Sequence, residues 1–179
     1  MALKATIFRA RVSIADLDRA YFREHTLTVA RHPSETDARL MLRLLAFCLH
    51  ASDTLSFTRG LSTSGEPDVW DWAPDGTLLS WIEVGQPEAR RLRSAAGRAA
   101  RVFVYPYGGH STGLWWKRVR ERVSDIGNLS VREIPVEGAA QLATLAQRNM
   151  QLQCTVQDGE VWMTTGDVSL HIAPRTRKA

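Results

Sequence analysis

Three acids and one amide carry the chemistry that this sequence offers. Asp68 follows Pro67 in "EPDVWDW", Glu83 stands near the end of "TLLSWIEVG", Gln86 lies three residues on, and Glu35 sits in "HPSETDARL". Between the two apolar runs is Asp75-Gly76, a strong hairpin signal. Asp68 and Glu83 are equally spaced about that turn. An antiparallel pair in that register sets them opposite each other, with Cβ atoms about 4.5–5.5 Å apart. Like charges so placed repel, so one acid takes up a proton or a cation binds between them. Magnesium, or manganese, suits such a site, because it takes a few carboxylate oxygens and completes its shell with water and phosphate. Gln86 would orient a water or contact a phosphate, though it brings no positive charge.

Plainer readings stand beside each of these. An acid in a helix first turn, such as Glu35, is favoured by the dipole alone. Asp68 also reads as a strand-entry residue. Glu83 also reads as a strand-end acid in solvent, but "LLSWI" before it and "VG" after it point to burial, and a buried unpaired carboxylate is costly.

The elements around these residues follow from periodicity. "KATIFRARVSI" (residues 4–14) alternates in period two and predicts a strand, with Thr6, Phe8, Ala10, Val12 and Ile14 on one side. "YFREHTLTVARHP" predicts a second strand, paired with the first as a hairpin. "HPSETDARLMLRLLAFCLHA" is the clearest helix, capped by Ser34, with Leu40, Leu44, Phe47 and Cys48 at helical spacing. "TLSFTRGL" is a strand or a loop. Pro87 opens the next helix, expected to run to about Arg101, and "VFVYPY" is a strand covered on both faces. A helix starts near Ser111 or Thr112, followed by the strand "NLSVREIPV" and the helix "EGAAQLATLAQRNM". "QLQCTVQDGEVWMTTGDVSLHI" predicts a β meander, and the basic tail, residues 174–179, is expected to fray. The middle order is helix, three strands, helix, strand. That is an α/β architecture in one domain spanning residues 1–179.

Bulk properties narrow the function classes. The 179 residues carry a net charge of +4, with no apolar run long enough for a membrane helix and no apolar h-region at the start. Cys48 and Cys154 lack metal-ligand spacing and read as reduced thiols of a cytoplasmic protein. The five histidines are scattered. Basic residues cluster in "ARRLRSAAGRAAR", with Arg90, Arg91 and Arg93, and in "KRVRERV", with Lys117 and Arg118. A basic stripe faces phosphates in nucleic-acid-binding proteins, but each segment equally suits a solvated helix face. Trp115-Trp116 is a core pair or, where exposed, a contact surface.

Several stretches together resemble the YaeQ family of bacterial proteins: "ARHPSETDARLMLRLLAF", "LSTSGEPDVW", "WIEVGQPE" and "GRAARVFVYPYG", followed by "WW". The resemblance covers essentially the whole chain. It implies a restriction-endonuclease-like, PD-(D/E)XK fold with an α-β-β-β-α-β core at about residues 33–107. In that superfamily a Pro-Asp pair opens one core strand, an acid-x-Lys triplet lies on the next, and a helix acid assists. The match puts Asp68 on the first acid, Glu83 on the second and Glu35 on the helix acid. It departs at the lysine: Gly85 stands there and Gln86 follows. What the resemblance implies is therefore a divergent magnesium-dependent phosphodiesterase acting on nucleic acid, with Asp68 and Glu83 as metal ligands; without the lysine, either activity is weak, or an arginine such as Arg90 substitutes, or catalysis is lost. The alternative is a weak or inactive binding protein on that fold, contacting nucleic acid or the transcription or translation machinery. Neither reading fixes an oligomeric state.

Overall fold

The computed structural model describes residues 4–60 and 63–179. The first three residues of the segment read as lacking a signal, and the start of "LSTSGEPDVW", lie outside them. The described residues form two mixed sheets and four helices. β1 (Thr6–Asp16) and β2 (Tyr21–Arg31) pair as the expected hairpin, with Thr6 opposite Arg31 and Asp16 opposite Tyr21. Alternation buries Phe8, Ala10, Val12 and Ile14 on one face.

α1 (Asp37–His50) follows. Its N-cap is Thr36 rather than Ser34: the Thr36 hydroxyl accepts from the Arg39 N–H at 3.2 Å, while Ser34 is bonded to His32. Every residue from Leu40 to Leu49 is buried, because α1 is covered on both sides by the two sheets.

β3 (Leu55–Phe57), β4 (Val69–Trp72) and β5 (Leu78–Val84) form an antiparallel run. The β4–β5 hairpin turns at Asp75-Gly76, where Asp75 Oδ1 accepts the Thr77 N–H at 2.9 Å. α2 (Ala89–Ala96) ends before Arg101, which instead opens β6 (Arg101–Tyr105), parallel to β5. Both faces of β6 are covered: Val102 and Val104 pack towards α2 and α3 (His110–Val119), Phe103 and Tyr105 towards α1.

β7 (Leu129–Glu133) lies parallel to β6, and α4 (Val136–Thr144) packs on α1. β8 (Asn149–Gln157), β9 (Glu160–Thr165) and β10 (Val168–Ile172) form the expected meander, and β8 also joins β1 in parallel. The tail does not fray. Arg175–Lys178 forms β11, antiparallel to β7, and Arg177 pairs with the buried Glu133. Sheet orders are β10-β9-β8-β1-β2 and β11-β7-β6-β5-β4-β3. The layers therefore run five-stranded sheet, α1 with α4, six-stranded sheet, α2 with α3. No described helix is long and apolar enough to cross a membrane.

Candidate functional site

The register of the β4–β5 hairpin pairs Val69 with Ile82 and Trp70 with Trp81. Continued one step, it sets Asp68 opposite Glu83, although a bulge lies between Asp71 and Trp72. The two acids end up at the mouth of the hairpin, between the α1 layer and the α2 layer. Both are buried, at 3% and 6% exposure, yet both line one cleft of about 380 Å³. Arg39, Gln86 and Arg91 line it too.

Each acid is answered by a guanidinium from a different layer. Asp68 Oδ1 accepts from Arg39 Nη2 at 2.6 Å, and Asp68 Oδ2 accepts the Val84 N–H at 2.7 Å. Arg39 also reaches Glu35 Oε1 at 2.9 Å. Glu83 turns to the other face, where Oε1 accepts from Trp81 Nε1 at 2.8 Å and from Arg91 Nε. Arg91 in turn clamps the preceding loop through the Ser64 and Glu66 carbonyls. The charge between the strands, which spacing alone leaves to a proton or a bound cation, is thus compensated first by the chain's own arginines.

Burial pushes the Glu83 carboxyl above its ordinary 4.5; Arg91 and the Trp81 hydrogen bond pull it down, and Asp68 pushes it up again. For Arg39, burial disfavours the charge, but Asp68 and Glu35 more than offset it and the group is held above its usual range.

Glu35 does not reach the cleft. It is buried beneath it, bonded to Arg39 and to Arg43 Nη1 at 3.2 Å, and supports the arginine that holds Asp68. Gln86 does reach it, but its amide nitrogen is spent on the Tyr107 carbonyl (3.0 Å) and the Ser111 hydroxyl (2.9 Å). Gly108 allows that approach: a Cβ there would stand 2.6 Å from Ser111 Oγ and 3.5 Å from Gln86 Nε2. Gly85, at the lysine position of the resemblance, has φ +117°, and a Cβ on it would meet nothing within 4 Å, so backbone conformation and not space selects glycine.

The basic residues divide. Arg91 belongs to the cleft. Arg90, Lys117 and Arg118 are exposed. Arg93 is turned away to Asp125, with contacts of 2.7 and 3.1 Å. Trp115 is a core residue whose Nε1 donates to the Pro87 carbonyl at 2.8 Å, and Trp116 packs beside it. Arg39 and Arg43 are the functional residues that motif spacing misses. For Arg43 the signal is a charge inside the apolar run "LMLRLLAF", which only a buried acid justifies; Arg39 stands just before that run.

Among the described residues no group of three or more His, Cys, Asp or Glu is arranged to hold a metal ion. Two carboxylates facing one cleft still fit magnesium, which needs only one or two when phosphate supplies the rest. Glu83 Oε2 has no hydrogen-bond partner among the described residues, whereas Asp68 is freed for an ion only when Arg39 gives way.

The YaeQ protein family model matches residues 1–174. The uncharacterised YaeQ proteins of Salmonella typhi and Escherichia coli K12 are 43% and 42% identical over 172 residues, covering 96% of this chain and 95% of each relative. The crystal structure of a YaeQ protein from Xanthomonas axonopodis pv. citri superposes with a TM-score of 0.94 at 44% identity, covering 98% of this chain and 99% of that one. A YaeQ protein from Pseudomonas syringae gives 0.93 at 30% identity, covering 98% and 97%. By sequence and by fold, this chain belongs to the YaeQ family.

Proposed function

We propose that the chain is a divergent, magnesium-dependent phosphodiesterase acting on nucleic acid. The observation that carries this reading is the convergence of Asp68, Glu83 and Gln86 on one open cleft, with two guanidiniums beside them. The element order α1-β3-β4-β5-α2-β6 is consistent with a restriction-endonuclease-like core.

Asp68 and Glu83 would hold the ion; when bound, it would make a coordinated water more acidic and offset phosphate charge. The chain's own residues supply the rest. Arg39 and Arg91 bring to the cleft the positive charge that Gly85 cannot. Arg39 holds Asp68 Oδ1 and is itself fixed by Glu35. Trp81 and Arg91 hold Glu83 through Oε1, leaving Oε2 without a hydrogen-bond partner among the described residues. The amide nitrogen of Gln86 is anchored on Tyr107 and Ser111, and its carbonyl oxygen would accept from a water. Exposed Arg90, Lys117 and Arg118 would contact the backbone without reading sequence. The two cysteines, free and buried, suit a reducing cytoplasm.

A second reading has its own support: Glu35, Asp68 and Glu83 are all paired with arginine, and the Gln86 amide nitrogen is spent. That arrangement suits a binding protein, for nucleic acid or for a component of transcription or translation, which has lost turnover. Incubation of single- and double-stranded DNA and RNA with the protein and magnesium separates the two. Cleavage that Asp68→Ala and Glu83→Ala abolish supports the enzyme. Binding without cleavage supports the second reading, and neither binding nor cleavage overturns the enzyme and the nucleic-acid binder, leaving only the protein partner.

A further inference from the structure

A second pocket lies at the opposite end of α1. The cleft opens near the first turn of this 14-residue helix, and the second pocket near its last, His50. At about 1.5 Å per residue the two are roughly 20 Å apart along the helix. The second pocket holds about 400 Å³, room for a small organic ligand.

Its floor is one face of the six-stranded sheet. Strand alternation puts Arg101, Phe103 and Tyr105 on that face, and the β6–β7 register, Phe103 opposite Ser130, puts Arg132 there too. His50 bonds the Tyr105 hydroxyl through Nε2 at 2.6 Å, and its ring centroid lies 4.2 Å from that of Phe103. Both members of the His50–Tyr105 pair stay uncharged near neutral pH. Burial, with Arg19 and Arg132 nearby, lowers the imidazole to about 3, and burial raises the phenol.

The remaining charges are unequal. Arg19 is spent on Asp16 and on the Ala51 carbonyl. Asp18 is spent on the N–H groups of Asp158 and Gly159. Among the described residues, no ion pair or hydrogen bond engages the side chains of Arg101 and Arg132. Asp158 is the single pocket carboxylate in the same condition. Two unpaired guanidiniums lining one pocket, about four residues apart along neighbouring strands and flanking an uncharged, aromatic floor, favour an anion with a flat substituent.

We propose that this pocket binds a small phosphomonoester, its phosphate on Arg101 and Arg132 and its organic part against Phe103 and His50. The proposal is independent of the cleft. Calorimetric titration with phenyl phosphate and with inorganic phosphate tests it. Expected is one-site binding, tighter for phenyl phosphate, weakened about tenfold or more by Arg101→Ala and by Arg132→Ala, and unchanged by Arg120→Ala at a distant exposed position. Thermal melts establish that the variants fold. Absence of binding at millimolar phenyl phosphate, or binding that persists undiminished in the Arg101→Ala/Arg132→Ala double variant, overturns it.

Discussion

The guanidinium of Arg39 joins two acids that the sequence places 33 positions apart, Glu35 and Asp68, at 2.9 and 2.6 Å. This link ties the start of the central helix to the mouth of the β4–β5 hairpin. It also gives Arg39 two roles in tension. The arginine neutralises Asp68, and it competes with any cation for the same oxygen.

Arg39→Ala separates those roles. Removing one partner of a largely buried pair leaves Asp68 and Glu35 less compensated, with an expected cost of about 2–4 kcal/mol. Urea unfolding measures it. The same variant should bind manganese more tightly than wild type, because Asp68 Oδ1 is released.

Gly85 is held at φ +117°. A side chain there is strained, so Gly85→Lys should destabilise by about 1–3 kcal/mol and should not raise phosphodiesterase activity, although it rebuilds the acid-x-Lys triplet. A fully stable, more active variant would show that the strand end tolerates a lysine.

Glu83 gives a pH signature. Its carboxyl is held above 4.5, so its protonated form is the one the fold favours. Its contribution to stability is fully present below 4.5 and is lost as pH rises through the raised value. Glu83→Gln imitates the protonated form. The melting temperature of Glu83→Gln minus that of wild type should therefore rise between about pH 4 and about pH 7. A difference that stays flat across that range would show that the fold does not prefer the neutral acid.

Thr36→Ala should cost about 1 kcal/mol through loss of the α1 cap, and Ser34→Ala much less. Paired thermal melts decide which hydroxyl caps the helix.

What the sequence made legible was local. The hairpin at Asp75-Gly76 fixes the relation of Asp68 to Glu83, because register follows from turn position and alternation. The apolar run of α1 announces its burial. The partners of the acids were not legible, because they depend on how α1 and α2 sit over the sheet. Arg39 meets Asp68 only once the phase of α1 is set by packing on both sides, and Arg91 instead of Arg90 reaches Glu83 because Leu92 takes the buried face of α2. The tail misled for a similar reason: its basic composition hides an edge strand whose partner, β7, lies far back in the chain, as the Arg177–Glu133 separation of 44 shows.

Asp68 and Glu83 are proposed to hold one divalent ion jointly in the cleft. Calorimetric titration of manganese and magnesium into wild type, Asp68→Ala and Glu83→Ala addresses it most directly. One saturable site is expected in wild type, weakened about tenfold or more in each variant. Absence of a site in wild type, or equal affinity in all three proteins, would contradict it.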